Sequence, residues 1–328
     1  MNLERLDLAD DAAVEAMMDL HEASRLADHP YFPADTRQQV LAWHRYGWDG
    51  EPPEVWLLRE GDAVIGKLGV WFSYRDNLHL GGVNVLVHPE HRRMGHGRAL
   101  YEAGMKRVRE EGRRTVGAGT LDRPEFNAFA ETMGFERKSA DIHRRQDLLS
   151  VDFEDIAAHR AKAEAAAADY ELVRVEGSVP EELIEDVAVM TAAINDAPTD
   201  DLDIEDEIFD AKRIREWENA RLEGGDRIYR IIARRKSDGA LAGHTMLGYH
   251  PGAPEYANQW DTSVLKDHRG HRLGMLLKAS MVEWLREAEP TVRYVDTWNA
   301  ESNSYMIAVN EALGYQIVER HLGYQRSV

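Results

Sequence analysis

The chain has 328 residues, more than one hydrophobic core usually serves, so two domains are expected. With 43% hydrophobic residues and no apolar run near the roughly 20 needed to span a bilayer, a soluble globular protein is expected; the absence of cysteine excludes a disulfide framework, a thiolate nucleophile and a cysteine–metal site. A formal net charge of −19 disfavours nucleic acid and membrane surfaces as partners and favours cationic ligands such as amines. The opening MNLERLDLADD is acidic and lacks the order of a signal peptide, so a cytoplasmic location is expected.

In chain order, DDAAVEAMMDLHEASRLA and TRQQVLAWHRYG space their apolar residues as helices do. EVWLLREGDAVIGKLGVWFSYRD then alternates and turns at Glu60-Gly-Asp, as a hairpin should. VNVLV follows, then the basic turn PEHRRMGHGRALY, a helix, the short strand RTVGAGTL, a second helix ending in Gly134-Phe135, and a closing strand region. The alanine-rich DFEDIAAHRAKAEAAAADY reads as a helical linker over 151–169, separating a first domain over 1–150 from a second over 170–328. The same order then recurs. YELVRVEG opens as a strand, PEELIEDVAVMTAAIND and AKRIREWENARLEG are helical, and RIYRIIARRKSDGALAGHTMLGYH is a hairpin turning at Ser237-Asp-Gly. TSVL leads into the basic turn KDHRGHRLGMLLK, VRYVDTW is a strand, and AVNEALGY ends a helix in Gly314-Tyr315. The arginines opening the two turns, Arg92 and Arg269, lie 177 positions apart, so the chain reads as a duplicated unit.

Each turn joins glycines and arginines to the start of a helix. A helix N-terminus offers unpaired N–H groups and partial positive charge, glycines let an anion approach the backbone, and arginines add charge-assisted bonds. Arg92, Arg93, Gly95, Gly97 and Arg98 in the first turn, and Arg269, Gly270, His271, Arg272 and Gly274 in the second, therefore point to a bound pyrophosphate. Neither turn supplies the Gly-Lys-Ser/Thr of a nucleotide P-loop or a GxGxxG fingerprint.

At these residues the sequence resembles the GNAT superfamily of acetyl-CoA-dependent N-acetyltransferases. Arg92-Arg-Met-Gly95-His-Gly97 matches its Arg/Gln-x-x-Gly-x-Gly/Ala signature, and Arg269-Gly-His-Arg272-Leu-Gly274 matches with Arg272 in place of the first glycine. The resemblance covers nearly the whole chain as two GNAT units in tandem, a layout similar to that of mycothiol-synthase-like enzymes. It implies an α/β (α+β) fold with two mixed, mostly antiparallel sheets flanked by helices. It also implies acetyl-CoA as cosubstrate, held by the turn amides, including those of His96 and Leu273, and by the strand before each turn through Val85, Val87 and Val264. The reaction implied is direct acetyl transfer to a primary amine of a small molecule or peptide, by a monomer or homodimer; the other reading is a non-catalytic acyl-CoA sensor, or one working and one degenerate domain. Many members place an acidic tyrosine four residues before the Gly-aromatic pair, where this chain has Ala130 and Asn310. Arg272 either closes its turn or lies across the phosphates as an added cation.

For the chemistry, Asp261 is a base or an ammonium-binding carboxylate, or else an ordinary strand residue, and Tyr305 replaces the missing phenol or simply packs. Asn299 and Asn303 suit helix caps, and Asn303 and Asn310, seven apart, share a face toward the cofactor. Glu125, Asn127 and the aromatic set Trp71, Phe72 and Tyr74 are the first half's further candidates. The acidic run TDDLDIEDE reads as an exposed, mobile loop, and with no spacing such as HExxH no metal is expected.

Overall fold

The computed structural model describes residues 2–328, and these form two compact units. The first contains residues up to Ser139, with Asp201–Asp206 and His321–Val328; the second contains Ala140–Asp200 and Glu207–Arg320.

The first half of the chain runs β1 (Asn2–Arg5), α1 (Asp11–Asp28), α2 (Arg37–Tyr46), β2 (Glu54–Glu60), β3 (Ala63–Phe72), β4 (Leu80–Val87), α3 (His96–Glu110), β5 (Thr115–Leu121), α4 (Pro124–Thr132) and β6 (Glu136–Asp147). The second runs α5 (Phe153–Ala166), β7 (Tyr170–Glu176), α6 (Ile184–Thr191), α7 (Ala211–Glu223), β8 (Arg227–Arg235), β9 (Leu241–Tyr249), β10 (Tyr256–Val264), α8 (Leu273–Ala288), β11 (Tyr294–Ala300), α9 (Ser304–Ala312) and β12 (Gln316–Ser327). The short β1 is the element that the sequence pattern did not reveal.

Local chemistry sets the helix starts. The Asp10 carboxylate accepts from the amides of Ala12 and Ala13 at the head of α1, and Thr36 with Gln39 forms a capping box before α2. Asp152 and Asp210 cap α5 and α7 in the same way.

In the first unit β1, β2, β3 and β4 pair antiparallel, β4 meets β5 in parallel, and β5 is followed by the end of β12, His321↔Leu121 to Ser327↔Thr115. In the second unit β7, β8, β9 and β10 pair antiparallel, β10 meets β11 in parallel, and β11 pairs with β6, Tyr294↔Asp147 to Ala300↔Asp141. The last strand of each half thus completes the sheet of the other half. The compact units consequently depart from the contiguous division at 150 and 170: residues 140–150 group with the second unit, and 201–206 and 321–328 with the first. The reason is that partners are non-local choices, strand pairing for β6 and β12 and hydrogen bonds to Gln325 and Asn77 for 201–206, whereas the sequence pattern reports only local periodicity.

The segment over 151–169 is helical, as its composition suggests, but it is no free spacer. Ile156, Ala163 and Ala167 are buried in one cluster with Leu277, Met281 and Leu285 of α8. On the opposite face of that sheet, Val187 and Met190 of α6 and Ile214 of α7 cover Ile232 and Leu241. In the first unit α1 and α2 bury Met17, Leu20 and Val40 against Val55 and Leu57. The acidic run is exposed, yet pinned: the Asp203 and Glu205 amides donate to Gln325 Oε1 and Asn77 Oδ1, both at 2.7 Å.

Candidate functional site

Each parallel strand pair parts after three residues. β4 and β5 pair from Leu80↔Thr115 to Gly82↔Gly117, while β4 continues to Val87 on β3 alone. β10 and β11 pair from Tyr256↔Tyr294 to Asn258↔Asp296, while β10 continues to Val264 on β9. The strand edge beyond each parting keeps its backbone N–H and C=O groups available to an extended, peptide-like ligand. Val85, Val87 and Val264 lie on these stretches, half-buried. β10 carries a bulge between Gln259 and Thr262 at its parting, a re-aiming of side chains that β4 lacks.

Both strands run into a single 3-10 turn and then a helix whose first amides have no side-chain cap. Two residues in each turn take the left-handed conformation: Arg93 (φ 65°) and Gly95 (φ 91°) in the first, Gly270 (φ 86°) and Arg272 (φ 57°) in the second. A Cβ at Gly95 or Gly270 would meet no atom within 4 Å, so the space above each turn is open. Deeper in, Gly97 lies under Phe129, 3.4 Å from where a Cβ would stand, and Gly274 lies under the Tyr305 ring, with its hydroxyl 3.3 Å from that point. Open amides at a helix start, beside open space and cations, form an anion site.

The arginines divide in two kinds. Arg92 donates from Nε to the Val87 carbonyl (3.1 Å) and grips Asp28 with both terminal nitrogens (2.9 and 2.6 Å). Arg269 repeats this with Val264 (3.0 Å) and Asp196 (2.5 Å). These two side chains hold the turn in shape and are not free for a ligand, contrary to the direct phosphate role their position suggests. Arg93, Arg98 and Arg272 are exposed, and among the described residues their side chains have no ion-pair partner. They are the available cations.

The sequence profile of the Acetyltransferase (GNAT) family matches residues 15–135 and again 192–315. The chain belongs to the GNAT family. It is 30% identical to the tandem GNAT protein from the clavulanic acid biosynthesis pathway, over 99% of this chain and 98% of that one, with a TM-score of 0.82. A GCN5-related N-acetyltransferase from Sphaerobacter thermophilus shares the fold at 16% identity and a TM-score of 0.64, over 99% and 95% of the two chains. The mycothiol acetyltransferase of Stackebrandtia nassauensis is 34% identical over 105 residues, a stretch covering about a third (32%) of each protein. Two GNAT domains in tandem, each with a mixed sheet flanked by helices, are therefore the architecture of this chain.

Within the second GNAT unit, Asp261 sits at the bulge, half-buried. Loss of water raises its carboxyl above the ordinary carboxylate range, with Arg230 and Arg221 opposing. Tyr305 does not join it: its hydroxyl lies over Gly274, 3.3 Å from where a Cβ would stand, and the residue is exposed. Tyr305 therefore belongs with the turn, not the slot. Asn303 caps α9, accepting from the Met306 amide (3.1 Å). Asn310 is fully buried and donates to Asn299 Oδ1 (3.1 Å), which removes it from any open cofactor surface. His271 packs on the Tyr170 ring, and Leu273 is buried in the α8 core, leaving only its amide for the turn.

In the first GNAT unit Phe72 is core, beneath Arg107 and Arg113, whereas Trp71 and Tyr74 are exposed. The Asn127 side chain donates to Asp122 (2.8 Å), and Glu125 is exposed.

Sequence reasoning passed over the charged residues inside the central strands. Lys67 on β3 touches His21 Nε2 (2.7 Å); burial lowers its ammonium to about 8 and, with Lys67 contributing, lowers His21 to about 3. His44, bonded to the Val40 carbonyl, is lowered by burial to about 4. At the corresponding position of the second unit stands His244, fully buried and kept neutral by burial. It meets Arg230 (3.2 Å), itself lowered by burial to about 10 and 3.5 Å from buried Glu218. The lone lysine of AVIGKLGVWF, and the arginine set inside the apolar run IYRIIA, were the available signals.

Proposed function

We propose that this protein is an N-acetyltransferase that moves the acetyl group of acetyl-CoA to a primary amine, on a small molecule or peptide carrying positive charge, in the cytoplasm. The observation that carries the reading is the recurrence, in both units, of a parted strand edge leading into an open amide-lined helix start. In each unit the turn amides bind the pyrophosphate, with Arg93 and Arg98 or Arg272 as cations, and the strand edge at Val85–Val87 or Val264 pairs with the pantetheine arm.

In the reaction the neutral amine attacks the thioester carbonyl, a C–N bond forms, the C–S bond breaks, and the proton leaves nitrogen while the thiolate acquires one. Asp261, raised by burial, is the candidate proton acceptor of the second unit. Lys67, able to lose its proton near neutral pH, is the candidate of the first, although it stands at the position of His244 and not of Asp261.

A thiol-release assay over polyamines, aminoglycosides, amino acids and peptides tests this, beside a calorimetric titration with CoA. Turnover on a cationic amine and two CoA sites per chain are expected. The buried, non-phenolic Ala130 and Asn310 favour a second reading, an acyl-CoA-binding sensor. Tight CoA binding without turnover on any amine selects it; no CoA binding at all rejects both.

A further inference from the structure

We propose that Glu60, His91 and His96 form a binding site for one borderline divalent metal ion, of the zinc class, beside the phosphate turn of the first unit. The three residues come from three separate pieces of chain. Glu60 ends β2 at the hairpin tip, His91 closes the 3-10 turn after β4, and His96 is the first residue of α3. One ligand atom from each lies within 4.8 Å of both others. The Glu60 carboxylate is 3.6 Å from His91 Nδ1, close to the roughly 3.4 Å edge that ligand distances near 2.1 Å give a tetrahedral zinc site. The remaining pairs, within 4.8 Å, must close further toward that edge when an ion is bound.

The second observation concerns His91. Its Nδ1 is buried from solvent, yet it has no hydrogen-bond partner. A buried ring nitrogen without a partner costs free energy, and a metal ion is a partner that a neutral imidazole accepts. Two imidazoles with one carboxylate select zinc, cobalt or nickel over magnesium and calcium, and they leave a position open.

The second unit supplies an internal comparison. At the same 177-residue offset, Glu60, His91 and His96 correspond to Ser237, His268 and Leu273. Only one ligand type survives there, and His268 Nδ1 is already bonded to the Tyr170 hydroxyl (2.9 Å). The site therefore belongs to the first unit alone. An ion in it clasps the hairpin tip to both ends of the turn, holding the cradle rigid and adding positive charge at the start of α3. The metal site does not depend on the acetyltransferase reading.

Calorimetry of the full chain, stripped with chelator and titrated with Zn²⁺, tests it, with Mg²⁺ as a parallel arm. One Zn²⁺ per chain is expected, with a visible absorption band of tetrahedral type when Co²⁺ replaces it. His96→Ala, at a half-buried position, and Glu60→Gln, at an exposed one, are expected to weaken binding by at least the roughly 10–100-fold that loss of a mere outer-shell partner costs. His268→Ala is expected to leave it unchanged. Zinc is also expected to raise the melting temperature of the parent chain and not of His96→Ala. No saturable Zn²⁺ binding, equal binding by His96→Ala, or a preference for Mg²⁺ overturns the proposal.

Discussion

The two basic turns adopt one backbone with their residue types exchanged. The first places arginine and then glycine at its two left-handed positions, Arg93 and Gly95; the second places glycine and then arginine, Gly270 and Arg272. A left-handed non-glycine residue costs roughly 1–2 kcal/mol, so each copy bears that cost once. What both retain is the path of the chain and the open space above it, not a glycine at a fixed place. Arg272 therefore does not close its turn by distorting it. The units diverge instead in the strand interior, where Lys67 with two neutral histidines in one corresponds to His244 with a buried arginine–glutamate pair in the other.

That contrast can be broken first at its shared part. Leu100 and Leu277 occupy matching positions on α3 and α8, each with no exposed surface. Either leucine replaced by alanine should lose about 2–5 kcal/mol by denaturant unfolding, and a large difference between the two would mean that the scaffolds are not equivalent. Next comes the divergent interior. Arg230→Met should cost about 3 kcal/mol, the low end for a broken buried pair, because Arg215 and the Val179 amide still hold Glu218. Lys67→Met, at a half-buried position, should cost less than about 1 kcal/mol.

The first unit's histidines give a pH test. Folded His44 titrates near 4 and His21 near 3, against 6.5 when unfolded. Between those values the unfolded chain binds more protons, so stability is present above about 6.5 and is lost as pH falls through the window. For buried His44 the loss is on the order of 3 kcal/mol, and His44→Phe should flatten that limb of the stability–pH curve. Lys67, near 8 folded against 10.5, makes stability rise across that interval, a slope that Lys67→Met removes. The smallest effect is at the turn. Arg272→Gly should gain no more than about 1 kcal/mol of stability while weakening the second CoA site about tenfold, the worth of one charge-assisted bond.

Helices, hairpins and both turns were legible in the sequence because their signals are local: caps, apolar spacing, and Glu60-Gly-Asp or Ser237-Asp-Gly at the hairpin bends. β1 carries too few residues for a pattern. The exchange of β6 and β12 was invisible, since Arg145 pairing with Asp296 at 2.7 Å is a choice between distant partners. Asp261 was legible as a candidate, but its arginine neighbours lie on other elements. The roles of Arg92 and Arg269 were misjudged for the same reason, because the aspartates that occupy them stand 64 and 73 residues earlier.

The chain crosses from one unit to the other inside β6 and again inside β12, so neither unit is a separable piece of the gene. A protein ended after Arg320 would lack the residues that finish the sheet beside β5, three hundred residues from where that domain begins. Splitting the coding sequence at its midpoint yields two fragments that each carry an edge belonging to the other. Neither fragment holds all the strands of either unit.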